Sequence, residues 1–230
     1  MDATVIDLVG AYNARAFGGS QPWLIRSAAL DALTEHDAAS LRELGLELVV
    51  DLREPGEGPD AVHGLPVRSV PLYRSPNGAP TTGAIEEIYE RLLRTRGEAL
   101  AEAVGAIAAT EGAVLVHCTA GKDRTGLVVA LALLVAGVEP EAVVADYARS
   151  ESTVAERRRA HAEAMLEGLQ LSAADRAAAL RLHLRSPAEA MRHAIELIDG
   201  YGGPHAYLLR HGLSVEQLRA LRERAEERAA

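Results

Sequence analysis

The chain reads as an α/β protein in three layers, with a short, mainly parallel central sheet flanked by helices. Three observations predict this. Four apolar stretches of strand length, 23–26, 46–52, 67–72 and 113–117, are each bounded by Gly, Pro or charged residues. They alternate with stretches of helical period, the order from which parallel sheets are built. Finally, AVLVH, then CTAGKDRTG, then LVVALALLVA reads as a strand, a tight turn and a buried helix.

Taken in order, Thr34 is placed to cap a helix over 35–44, and Gly45 stands where a glycine ends one, just before the strand LELVVDL. Residues 71–83, PLYRSPNGAPTTG, are rich in turn formers and predict a surface loop. A helical pattern follows over 84–110, with Gly97 placed to split it. Beyond the turn, helices are predicted over 124–136, 140–149, 154–168, 173–185, 187–198 and 215–228. Pro140 and Pro187 suit first helical positions, Ser172 and Ser214 suit N-caps, and Gln217 completes a capping box with Ser214. GYGGP at 200–204 is short enough to be a connector, and no internal repeat is present. The expectation is one domain over 1–230.

Composition bounds the function. With 230 residues, 48% of them hydrophobic, the chain can bury one sizeable core. A formal net charge of −9 argues against nucleic acid as a partner, because backbone binding needs many spread cations. The longest apolar run, 127–138, is too short to span a membrane, and 1–10 carries Asp2 and Asp7 without a basic flank, unlike a secretory signal. The expectation is no integral membrane segment. The single cysteine excludes an internal disulfide, and an exposed thiol suits a reducing cytoplasm. All but one of the 24 basic residues are Arg; the exception is Lys122, four positions after that cysteine.

The turn from His117 to Gly126 carries the chemistry. Successive backbone N–H groups in such a turn converge on one point, and the positive end of the following helix adds to the field, so the turn suits a phosphate dianion. Thr119, Ala120, Gly121, Lys122, Thr125 and Gly126 are the predicted phosphate-binding set. The same field acidifies Cys118, because thiols with a free pKa of about 8.5 fall to roughly 3.5–7.5 at helix N-termini beside cations. Cys118 is therefore the candidate nucleophile, and Arg124, with five residues between them, the candidate clamp on two phosphate oxygens. The reaction then runs through a cysteinyl phosphate that water hydrolyses, with no metal or cofactor in either step. The leaving oxygen needs a proton, and 71–83 contains no Asp or Glu. Asp123 inside the turn is the first candidate acid, and Asp51 at the end of LELVVDL the second. Thr125 is placed to donate to the thiolate, and His117 to brace the turn.

Each reading has a plainer rival. An isolated buried Cys is ordinarily inert packing. Asp123 could simply favour the helix macrodipole, and Lys122 could be a solvated charge. RRR at 157–159 reads as a solvated helix face.

HCTAGKDRTG resembles the signature of the cysteine phosphatase superfamily, His-Cys, five residues, Arg, then Thr or Ser. The AGKDRTG version is similar to that of bacterial tyrosine phosphatases with lipid phosphatase activity. The likeness extends to Asn13, Arg15, Gly18 and Gly19, to Arg26 and Ser27, to Asp51 and Arg53 in DLR, to Asp146 and Tyr147, and to GYGGPHAYLLRHGLS near the end. Ala16 stands where the family usually has Asp. The resemblance implies the tyrosine-phosphatase fold, with Asp51 and Arg53 in supporting roles. It also implies phosphotyrosine substrates, extending to phosphoserine, phosphothreonine and phosphoinositides, with Lys122 linked to that breadth as a second cation. Residues 150–185 fall outside the likeness; in some relatives the corresponding region forms a helical lid over the active site, and the expectation here is a lid or insertion. The rival from another class is a phosphate-binding adaptor without turnover; a thiol redox enzyme would need a resolving cysteine that this chain does not have.

Overall fold

The computed structural model describes residues 3–58, 64–75 and 78–228. Asp2 of the leader reading, and Pro76 and Asn77 of the predicted loop, lie outside these residues.

Six strands form one sheet: β1 (Thr4–Val5), β2 (Arg15–Phe17), β3 (Leu24–Ser27), β4 (Leu46–Asp51), β5 (Val67–Ser69) and β6 (Ala113–His117), in the order β1-β2-β3-β6-β4-β5. β3, β6, β4 and β5 run parallel, while β2 pairs antiparallel with both β1 and β3. The expected mainly parallel sheet is present, with a two-strand antiparallel edge that the sequence reading did not foresee.

Strand alternation makes the layers. Leu24, Val50, Val114 and Val116 point to one face and join the larger core; Ile25, Val49, Ala113 and Leu115 point to the other. The second face is covered by α1 (Glu35–Glu43) through Ala38 and Leu41. The first is covered by α2 (Ile85–Thr95), α3 (Gly97–Ala108), α4 (Asp123–Val135), α7 (Ala188–Asp199), α8 (Gly203–Arg210) and α9 (Val215–Glu227), which supply most of the larger core. β6 is buried along its whole length because both faces are covered, so its C-terminal end delivers His117 and Cys118 into the interior.

The helix signals behave as read at most ends. Thr34 caps α1 in a capping box with Asp37, and Gly45 follows it at φ +77°. The 84–110 pattern divides at Gly97, where a side chain would strike the His211 ring, its Cβ lying 2.4 Å from Cε1. Ser172 and Ser214 cap α6 (Ala173–Leu184) and α9, the latter with Gln217. Three expectations need correction. The helices predicted over 140–149 and 154–168 are one, α5 (Pro140–Leu166), because Ser150 faces the interior and accepts from Arg15 Nη2 at 3.0 Å rather than turning out to break the helix. Pro187 is the N-cap of α7, at ψ 130°, with Ala188 the first helical residue. The 200–204 connector runs directly into α8, whose N-cap is Gly202 at φ +95° and whose first turn holds Pro204. Among the described residues no helix is long and apolar enough to cross a membrane.

Candidate active site

The site begins where β6 ends. Cys118 is 3% exposed, and the chain turns through Thr119–Lys122 into α4. Gly121 takes φ +64°, and a Cβ there would lie 2.2 Å from Ser27 O, so both backbone angle and space demand glycine. The turn's carbonyls are pulled outward: Asn13 Nδ2 donates to Ala120 O at 3.2 Å and to Gly121 O at 3.0 Å, and Arg26 Nη2 donates to Gly121 O at 2.8 Å. Because each peptide unit is planar, carbonyls held outward turn N–H groups inward. Among the described residues, no backbone acceptor takes the N–H groups of Thr119 through Arg124.

The residues that do the pulling are themselves fixed. Asp146 on α5 accepts from Arg15 Nε at 2.5 Å and from Arg26 Nη1 at 2.6 Å, all three side chains being buried. Arg15 Nη1 also donates to Asn13 Oδ1 at 2.6 Å. The Asn-x-Arg, Arg-Ser and Asp-Tyr matches of the sequence thus meet behind the turn as one polar frame. Gly126 lets the last of them close in, since a Cβ there would sit 3.0 Å from Tyr147 Cδ2.

Burial alone would raise the Cys118 thiol, but the Arg124 charge and the hydroxyl and N–H of Thr125 outweigh it, and the pKa is lowered. The Thr125 hydroxyl is buried and closes no hydrogen bond of normal geometry, so what it offers is available to the sulfur. Arg124 is almost fully buried and engaged. Its Nη1 and Nη2 donate to Glu57 Oε1 and Oε2, each at 2.8 Å; Nη1 also meets Leu52 O at 3.2 Å and Nη2 meets Thr119 Oγ1 at 3.1 Å. Thr119 Oγ1 in turn donates to Glu57 Oε2 at 2.6 Å, and the Tyr73 ring lies 5.1 Å from the guanidinium carbon. Burial would raise Glu57, but its bonds to Arg124 and Thr119 hold it down, at about 2. Only the Nε edge of Arg124 carries no partner among the described residues.

Asp123 lines the same cavity of about 200 Å³ as Cys118 and Arg124. Its Oδ1 accepts from Tyr89 Oη and Lys122 Nζ, both at 2.8 Å, while Oδ2 has no partner among the described residues. Asp51 is elsewhere. Arg53 grips it through Nε at 3.0 Å to both oxygens, through Nη2 at 2.8 Å and through its backbone N at 2.9 Å, and Arg53 Nη1 continues to Asp31 at 2.7 Å. Neither Asp51 nor Arg53 lines the cavity. His117 is fully buried beside them, its Nε2 3.7 Å from Asp51 Oδ2 and its Nδ1 3.4 Å from Cys118 O, and burial lowers its pKa.

Lys122 departs from the expectation. Its ammonium is 1% exposed and donates to Asp123 Oδ1, to Leu182 O at 2.8 Å and to Arg185 O at 2.7 Å, with all three protons committed. It ties the turn to the end of α6 and does not line the cavity. Among the described residues, the cation that does line it besides Arg124 is Arg158, which sits on the inward stripe of α5 one turn from the buried Val154 and Ala162. The RRR run therefore is not a uniform solvated face: Arg157 and Arg159 are exposed, and Arg158 dips inward. Met165, Leu182 and His183 complete that wall, with His183 Nε2 2.8 Å from Thr81 O.

Glu57 and Arg158 are the charged residues lining the cavity that sequence reasoning missed, as it missed Tyr73 and Tyr89 beside Arg124 and Asp123. Glu57 sits among glycines and prolines, EPGEGP, where a carboxylate looks solvated. Arg158 could have been found by continuing the α5 helix through Ser150, which places it in register with Val154 and Ala162.

A family described as the tyrosine phosphatase family matches residues 6–227. Triple specificity protein phosphatase PtpB of Mycobacterium tuberculosis is 31% identical over 198 residues, 67% of this chain and 72% of that one. A tyrosine-protein phosphatase of Nostoc commune is 33% identical over 141 residues, 55% of this chain and 47% of that one. The crystal structure of TpbA from P. aeruginosa is 21% identical and superposes with a TM-score of 0.42, over 84% of this chain and 96% of that one. With its turn, the frame behind that turn and nearly its whole length accounted for by the match, this chain belongs to the tyrosine phosphatase family.

Proposed function

We propose that the chain hydrolyses phosphomonoesters, phosphotyrosine first among them, through a phosphate ester of Cys118. The observation that carries this reading is the convergence on one cavity of a thiol lowered in pKa, a turn with inward N–H groups, and Arg124. In the first step the Cys118 thiolate attacks phosphorus in line, the P–O bond to the leaving group breaks, and Asp123 gives that oxygen its proton. In the second, water attacks phosphorus, its proton passes to Asp123, and the S–P bond breaks. Thr125 then stabilises the departing thiolate. Arg124 meets two of the three equatorial oxygens through Nε and through the Nη2 proton now on Thr119, while Glu57 keeps the far edge of the guanidinium fixed.

Asp123 is favoured over Asp51 because it reaches the cavity with a free oxygen, whereas the charge and hydrogen bonds of Arg53 outweigh burial to hold Asp51 ionised. The family resemblance supports extension to phosphoserine, phosphothreonine and phosphoinositides, and Arg158 rather than Lys122 is the cation placed to meet a second phosphate on a small ring. The mechanism needs Cys118 kept as a thiolate, which a reducing cytoplasm does, and this favours a cytoplasmic setting.

The test is metal-free hydrolysis of an aryl phosphate in reductant, across pH. Native protein is expected to turn over, Cys118→Ser to lose all turnover, and Asp123→Asn, not Asp51→Asn, to lose the alkaline limb of the profile. Phosphate binding without turnover of aryl, peptide or inositol phosphates would make the protein an adaptor.

A further inference from the structure

We propose that the groove beside the catalytic cavity docks an acidic segment flanking the phosphotyrosine of a protein substrate, with Arg91 and Arg96 reading its charge. This rests on the phosphatase reading above. The groove encloses about 490 Å³ and shares Tyr73, Ala79, Pro80 and Thr81 with the cavity of Cys118, so a chain whose phosphotyrosine enters the cavity passes directly along it. Its far wall is the C-terminal part of α2 and the junction with α3, which bring Arg91, Thr95 and Arg96.

Charge selects the occupant. Among the described residues two guanidiniums and no carboxylate line the groove, in a chain whose net charge is −9. A concave surface of one sign concentrates ligands of the other. Arg91 is exposed and has no carboxylate partner among the described residues, whereas Arg94, three residues further along the same helix and outside the groove, is paired with Glu90 at 2.8 Å. Arg96 is held in place by Nε donating to Tyr73 O at 2.9 Å, and its terminal amines have no carboxylate partner among the described residues. Distance separates a peptide from a small ring. A second phosphate on the ring that carries the scissile one stays within the cavity, near Arg158. A side chain two or three residues along an extended peptide lies roughly 7–10 Å away, in the adjoining groove.

The experiment compares kcat/KM for phosphotyrosyl peptides with Glu flanks and with Gln flanks, alongside an aryl phosphate that has no flank. The Glu peptide is expected to be preferred about tenfold at low salt, the effect of two partly exposed pairs, and the preference should shrink as salt is added. Arg91→Glu is expected to abolish or invert it, and Arg94→Glu to keep it. Equal values for the two peptides in the native protein, or a preference that survives Arg91→Glu, overturns the proposal. So does a loss in Arg91→Glu confined to phosphoinositide in vesicles, which would assign the groove to a headgroup. If the native protein fails on the aryl phosphate as well, the phosphatase reading falls by itself; affinity of Cys118→Ser for the Glu and Gln peptides then still decides the groove.

Discussion

Glu57 holds both terminal amines of Arg124, so the clamp meets a phosphate only on terms this carboxylate sets. If Glu57 braces the guanidinium, Glu57→Gln should lower kcat/KM for an aryl phosphate by about tenfold, the worth of one charge-assisted hydrogen bond, and weaken product inhibition by phosphate. If it merely occupies the phosphate site, the same variant should bind phosphate more tightly, and inhibition constants separate the two. The free Nε edge and the second carboxylate bond from Thr119 favour the brace. The pair also has a pH signature. The folded-state pKa of Glu57 lies near 2 against an ordinary 4.5, so its stabilisation is fully present above pH 4.5 and is lost as pH falls toward 2. Acid titration of unfolding should therefore show a shallower loss between those limits in Glu57→Gln than in the native protein. At Cys118 the same logic puts the acidic limb of turnover below the ordinary thiol range.

Elements matter here for what they hold behind the turn. β2 and β3 supply Arg15 and Arg26, α5 supplies Asp146, and the three meet out of water. Asp146→Asn leaves two buried guanidiniums facing a neutral amide, and a loss of about 3–5 kcal/mol is expected, read as a lower urea midpoint at unchanged slope. Gly121 O should then lose the hold of Arg26, so phosphate affinity falls together with stability. This frame shows what was legible and why. The Cys118–Arg124 spacing, the strands β3, β4 and β6 and the caps at Thr34, Ser172 and Ser214 are local signals, carried by adjacent residues. β2 is three residues long, too short for a period of two to show, and its neighbour Asn13 takes φ +57° to reach the turn. The helix that joins the two predicted ones carries Ser150 facing inward to accept from Arg15, 135 residues earlier. Glu57 and Arg124 are 67 residues apart, and Lys122 meets Leu182 across 60, separations at which sequence spacing carries no geometry.

At the scale of the whole molecule, α5 belongs to two parts at once. Its first half, through Asp146, Tyr147 and Ser150, is fixed to the frame; its second half, with Arg158 and Met165, forms with α6 the roof of the cavity. That roof is fastened to the body by Leu182, which joins the larger core, and by polar contacts: Lys122 to the carbonyls of Leu182 and Arg185, Arg181 to Glu86 at 2.7 Å, and His183 to Thr81. Polar contacts of this kind open at less cost than a packed core, and α4 beneath the turn is buried over most of its length. We propose a lid comprising the second half of α5 and α6, hinged near Ser150 and pinned by Lys122. Lys122→Met should release the pin, raising amide exchange over 154–185 by about tenfold, the worth of one charge-assisted hydrogen bond, and leaving 127–135 unchanged. Orthovanadate, filling the phosphate site beneath the roof, should slow both exchange over 154–185 and proteolysis between α5 and α6 in the native protein. If exchange rises equally in α4 the variant has loosened the fold, and if vanadate changes neither rate the roof is a fixed wall and no lid.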